Sequence, residues 1–182
     1  MKKVIFLLLI HSSFFSQSSL IDSYNSELVK NYKNITNFSD ISKISVKFNS
    51  SINSNVAYLP CVVNGVLDYF IFDSGCDVGL YLNKKIFLEM IENKKIFYED
   101  YVGDGESITA DGKSNISKII IIDEVIIGNY ENSFKLKNVL ASVSNSDDSF
   151  LLLGQDIIKR FSSVTIDNKN EKITFIKWEE NI

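Results

Sequence analysis

The sequence predicts an all-β domain with one or two short helices, and three observations carry that reading. Apolar and polar residues alternate at period two, an Asn-Gly pair separates two apolar runs, and β-branched residues crowd the runs that do not alternate. The chain has 182 residues, one ordinary domain, and its 45% hydrophobic and 23% charged composition supports a core. A multidomain arrangement and intrinsic disorder are disfavoured on the same counts.

Taken in order, Lys2 and Lys3 precede the apolar run 4–10, and small polar residues fill 12–19. This is the layout of a cleavable signal peptide over residues 1–18, with Ser16 and Ser18 at the positions a signal peptidase inspects. The run is too short for a stable membrane anchor, so an exported, periplasmic or secreted protein is expected. Losing Lys2 and Lys3 would leave 17 basic against 23 acidic residues, a charge of −6. Residues 19–40, rich in Asn, Ser and Tyr without a period, read as a polar leader or linker before a domain spanning 41–182.

Ile44, Val46 and Phe48 alternate with Ser45 and Lys47, which marks a half-buried strand. Residues 56–63 and 66–72 are two apolar strands joined by Asn64-Gly65, a hairpin signal because both turn residues tolerate positive φ. Pro60, the single proline, points to an edge position for the first of them. Asn83 opens a helical pattern with Ile86, Phe87, Met90 and Ile91 on one face. Gly103-Asp104-Gly105 and Ala110-Asp111-Gly112 read as hairpin tips. Residues 119–122 and 125–127 read as two short strands buried on both faces, and 134–143 as a further strand element. Leu151-Leu152-Leu153 enters a buried strand that stops at Gly154, a short helix covers 156–161, and two last strands flank the turn 167–170.

The charge of −4, the pI near 5.1 and a basic set that is almost wholly lysine leave no basic stripe for phosphates, so no nucleic-acid partner is expected. The one histidine, His11, lies within the signal segment. A processed chain therefore lacks the imidazole of a Ser-His-Asp or Cys-His pair and the commonest zinc ligand, and neither a metal nor a cofactor is expected. The spacing of Cys61 and Cys76 leaves open whether they pair in an exported setting. Carboxylate chemistry remains. The strand 66–72 runs into Asp73-Ser74-Gly75, which delivers an acid, a hydroxyl and a glycine to the rim of a core. Read alone, the triplet is more often an Asx turn closing a strand.

The order of landmarks around the triplet resembles the retropepsin-like aspartic proteases, specifically the single-lobed, exported bacterial kind. These landmarks are Val62-Val63-Asn64-Gly65, then Phe70-Ile71-Phe72-Asp73-Ser74-Gly75, then residues 108–113, then Leu151-Leu152-Leu153-Gly154 with the helix that follows. The resemblance covers residues 44–176 and implies a retropepsin-like barrel. It also implies an aspartic endopeptidase that works as a homodimer on polypeptide substrate, each chain giving one Asp-Ser-Gly. Asp73 would be the catalytic acid, Ser74 would hold the paired carboxylates coplanar, and Gly75 would let substrate approach. Residues 98–118 would form a flap, with Tyr101, Thr109, Ala110, Asp111 and Gly112 as candidate substrate contacts. Asp77 matches an acid that binds substrate backbone in retroviral relatives, and Gly154 would pass beneath the catalytic loop where a side chain would collide. Cys76 and Gln155 depart from the pattern, standing where a small residue and a methionine are frequent. A noncatalytic exported binding module on the same fold is the alternative, since fold does not settle function.

Overall fold

The computed structural model describes residues 35–50, 56–108, 112 and 114–178. The segment read as a signal peptide lies outside them. The described residues form eleven strands and two α-helices in chain order: β1 (Ile35–Asn37), β2 (Lys43–Lys47), β3 (Tyr58–Val63), β4 (Val66–Phe72), β5 (Leu80–Leu82), α1 (Lys84–Glu92), β6 (Tyr101–Ile108), β7 (Ser114–Gly128), β8 (Ser133–Val143), β9 (Leu152–Leu153), α2 (Gln155–Ile158), β10 (Phe161–Asp167) and β11 (Lys172–Lys177). Strands β8, β5, β9, β4, β3 and β7 are neighbours in that order, and β7 pairs with β8, which closes a six-stranded barrel. Closure removes the exposed edges an open sheet would carry.

Two long strands frame the barrel. One edge of β7 carries β6 along its first half and β3 along residues 125–127, while its other edge pairs with β8. The free edge of β8 carries β1 at its start and β5 at its end, both parallel. A separate three-stranded sheet, β10-β11-β2, packs against the barrel through aromatic rings. Phe134 of β8 meets Phe161 of β10 at 5.5 Å and Phe175 of β11 at 5.0 Å between ring centroids, with edge-on geometry that suits the ring quadrupoles. Phe134 and Phe175 are fully buried, so one apolar core serves both sheets.

The β3–β4 hairpin forms as its sequence requires, with Asn64 at φ 45° and Gly65 at φ 86°. Asn64 also ties the hairpin to β7: its backbone N–H donates to the Glu124 carbonyl at 2.9 Å and its side-chain oxygen accepts from the Glu124 N–H at 3.0 Å. Helix α1 starts at Asn83, whose Oδ1 accepts from the Ile86 N–H at 2.9 Å. It buries Ile86 and Met90 but leaves Ile91 exposed, so the apolar face is narrower than the sequence pattern suggests.

Four other expectations are corrected. Residues 119–122 and 125–127 belong to one strand, β7, because Asp123 points to solvent and does not break the ladder; Ile120 and Ile122 are buried while Ile119 and Ile121 are half-buried. Gly103-Asp104-Gly105 is not a tip but lies within β6, where the register shifts between Tyr101 and Gly103, and a Cβ on Gly105 would come within 2.9 Å of the Ile119 side chain. Pro60 is not on an edge strand, since β3 has neighbours on both sides; the ladder to β7 begins only at Cys61, which leaves the proline clear of it. Ile35–Asn37, within the stretch read as leader, pairs with β8, and the Phe38 ring stacks edge-on against Phe161 at 5.3 Å. Cys61 and Cys76 are both buried free thiols. No helix among the described residues is long and apolar enough to cross a membrane.

Arg160, the single arginine, clamps the end of α2 to β8. Its guanidinium donates to the carbonyls of Lys137 and Asn138, each at 2.9 Å, and to Asp156 Oδ2 at 3.2 Å. Asn138 adopts φ 52°, so its carbonyl faces this clamp at an irregular point of the strand. Arg160→Met, which keeps the apolar stem and removes every donor, is expected to destabilise the protein by about 2 kcal/mol, read as a lower denaturation midpoint in urea at unchanged slope.

Candidate active site

Asp73 stands one residue beyond β4, and its position follows from two strands that end together. β4 pairs in parallel with β9, Ile71 opposite Leu152 and Phe72 opposite Leu153. The Asp73 N–H then donates to the Leu153 carbonyl at 2.9 Å, continuing the ladder by one residue before the chain turns away. The turn itself is closed by the Cys76 N–H donating to the Asp73 carbonyl at 3.3 Å. Within it the Gly75 N–H donates to Asp73 Oδ1 at 2.8 Å, which holds the carboxylate in one orientation. Asp73 is half-buried, whereas Ser74 and Gly75 are exposed. A half-sheltered acid on an exposed turn is placed to meet a molecule arriving from outside.

Behind the turn the backbones are in direct contact. A Cβ on Gly154 would fall 2.3 Å from the Val78 carbonyl oxygen and 2.4 Å from that of Cys76, distances no side chain occupies. The Gly154 N–H donates to the Gly79 carbonyl at 2.8 Å, and the Gln155 N–H to the Cys76 carbonyl at 2.7 Å. Gly79 has the same constraint from the other side, since a Cβ there would lie 2.6 Å from Val139 Cγ1 and 2.8 Å from the Leu140 carbonyl. The 73–79 loop is thus wedged between α2 and β8. Sequence reasoning singled out Gly154 and passed over Gly79, whose signal was a glycine set between Asp77-Val78 and the strand that starts at Leu80.

The structure brings Asp73, Ser74, Gly75 and Asp77 onto one loop, with Gly154 against its back. Asp77 is exposed. Burial pushes the Cys76 thiol up to about 11, a backbone hydrogen bond at Val78 opposes part of that rise, and the charges of Asp73 and Asp77 add to it. Burial also raises the Cys61 thiol, with the Asp68 charge adding to the effect. Both shifts favour the neutral thiol at ordinary pH.

β6 and the first half of β7 form the hairpin expected as a flap, but Thr109, Ala110 and Asp111 lie outside the described residues. Gly112, beside them, is an exposed bend with φ +79°. At the hairpin's base the Tyr101 hydroxyl donates to Asp104 Oδ1 at 2.8 Å, and Lys118 sits 3.7 Å from the same oxygen and 5.4 Å from the Tyr101 ring centroid. That hydrogen bond to Asp104, reinforced by the carboxylate's charge, holds the phenol proton more tightly than usual. Among the described residues no cluster of three His, Cys, Asp or Glu is placed to hold a metal ion.

Two substitutions probe this geometry. Gly154→Ala should cost more than about 3 kcal/mol, because the added methyl meets backbone and neither partner can step aside; thermal denaturation reads the loss. Alkylation of Cys76 at pH 8 should run on the order of a hundred times slower than for a free cysteine, since only a small fraction is thiolate. Asp73→Asn removes a negative charge beside the thiol and should speed that reaction, as mass spectrometry of the labelled protein would show.

No protein-family model and no curated protein matches the chain. Solved structures do. A retropepsin-like aspartic protease from Rickettsia conorii superposes with a TM-score of 0.52 at 22% sequence identity, over 73% of this chain and 89% of that one. The retroviral protease-like domain of Ddi1 from Leishmania major aligns at a TM-score of 0.39 and 19% identity, over 68% of this chain and 94% of that one, too loosely to bear on the fold. The closed barrel, the turn at Asp73 and the likeness to the Rickettsia conorii structure together establish that this chain has the retropepsin-like fold.

Proposed function

We propose that the chain is an exported aspartic endopeptidase that works as a homodimer, each protomer giving one Asp73. The observation that carries this reading is the Asp73 carboxylate itself, held by the Gly75 N–H on an exposed turn that is braced from behind by Gly154, within a retropepsin-like fold. Peptide hydrolysis by this chemistry needs two carboxyl groups, and the Asp73 turn of one chain offers one. A two-fold axis through the turn supplies the second.

Two carboxyls in contact cannot both ionise, so the pair shares a single proton. The ionised partner takes a proton from a bound water, which attacks the scissile carbonyl carbon. The protonated partner gives its proton to the carbonyl oxygen, so charge never accumulates on the tetrahedral intermediate. Collapse of that intermediate breaks the C–N bond as a proton passes to the leaving nitrogen. Ser74, exposed next to Asp73, would bond across the axis, and an extended substrate would lie between this turn and the β6–β7 hairpin.

Asp73→Asn should lower cleavage of a dye-labelled unfolded polypeptide by at least about a thousandfold while leaving the circular dichroism spectrum and melting temperature close to the original. Specific activity should climb with protein concentration through the range where sedimentation shows monomers associating. A variant that still cleaves, or a strict monomer that cleaves, overturns the reading; a strict monomer without activity assigns the fold to ligand binding instead.

A further inference from the structure

Gln155 makes two contacts with the Asp73 turn. Its backbone N–H already joins α2 to the Cys76 carbonyl, and its side chain goes further, the amide Nε2 donating to the Ser74 carbonyl at 2.7 Å. The other end of that same peptide unit is the Gly75 N–H, which donates to Asp73 Oδ1 at 2.8 Å. One planar group is therefore bonded at both ends, to a carboxylate on one side and to Gln155 on the other.

The position within the turn makes this bond consequential. Cys76 N–H to Asp73 carbonyl closes a four-residue turn in which Ser74 and Gly75 are the central residues. The peptide between two central residues can rotate as a rigid plate, exchanging one turn type for another, and glycine at the second position removes the steric barrier to the alternative. Gly75 is not among the residues with positive φ, so the structure holds the form that directs its N–H at Asp73. Rotation would send the Gly75 N–H away from the carboxylate and the Ser74 carbonyl away from Gln155. Because the carbonyl and N–H of a trans peptide point in opposite directions, a donor that grips the first also aims the second. Polarisation through the peptide strengthens the bond to Asp73 further.

We infer that Gln155 is a positioning residue for the proposed reaction: by holding the Ser74 carbonyl it keeps the Ser74–Gly75 peptide in the orientation that fixes the Asp73 carboxylate. This rests on the reading of Asp73 as the catalytic acid, but the geometry it asserts has its own readout. Gln155→Met keeps the unbranched stem, keeps the backbone bond to Cys76 and loses the donor.

In isotope-labelled protein the Gly75 amide proton of Gln155→Met should move upfield and exchange with solvent about tenfold faster, the size of effect expected from loss of one hydrogen bond, while the melting temperature changes little. Turnover of the labelled polypeptide should fall about tenfold in kcat with KM nearly unchanged, since the loss concerns the orientation of the reacting acid. Gln155→Glu adds a rescue: its ionised side chain cannot donate and should reproduce the defect near pH 7. Once protonated at low pH it can donate to the Ser74 carbonyl, and the Gly75 signal should return toward that of the parent protein at the same pH. An unmoved Gly75 signal in Gln155→Met overturns the inference whatever the activity. A moved signal with unchanged kcat overturns its catalytic half. An inactive parent protein overturns the proposed function instead, and the Gly75 signal then decides the positioning claim alone.

Discussion

Everything at the candidate site depends on how closely two backbones approach behind it. Gly154 lies so near the Cys76 and Val78 carbonyls that a single methyl would collide with both, and the hydrogen bonds from Gly154 and Gln155 exploit that proximity. The contact fixes where the chain turns after β4. Asp73, one residue beyond the strand, inherits its position from this packing and from the Leu153 carbonyl that accepts its N–H. Under the proposed function, a carboxylate that meets its twin across a symmetry axis would need such fixity, because an error in each partner is doubled at the pair.

The barrel supplies the rigidity and the aromatic cluster transmits it. Phe134, Phe161 and Phe175 join the closed barrel to the three-stranded sheet at β8, and Phe72, beside Asp73, adds a contact with Phe175 at 6.4 Å. Arg160 adds a polar lock between α2 and β8 on the same side. Cys76 is pressed into this region, and its burial favours the neutral thiol.

Much of the fold is legible in the residues because local chemistry dictates it. Asn64-Gly65 selects its turn, Asn83 caps its helix, and the Leu-Leu-Leu-Gly run enters a short strand with an abrupt end. What escapes the sequence depends on partners far along the chain. The Asp123-Glu124 pair looks like a break, yet Glu124 is bonded to Asn64 and paired with Lys135 at 3.1 Å, so the ladder passes through it. The glycines of β6 look like a tip because nothing local reveals that Ile119 crosses over Gly105. β1 is three residues laid along β8 and has no periodicity to detect. At the site, the triplet and Gly154 stand out by residue type, but the grip of Gln155 on Ser74 does not, since a glutamine's reach across 81 positions is a fact of the tertiary structure.

The continuity of β7 has a mechanical meaning. A single ribbon of 15 residues is an arm of the β6 hairpin at one end and a stave of the barrel at the other, with no joint between them. Swinging the arm must therefore bend or twist the stave, and the load passes to Ile120 and Ile122 inside the core. Whatever grips the arm is felt by the hydrophobic interior, and softening that interior should loosen the arm without touching it.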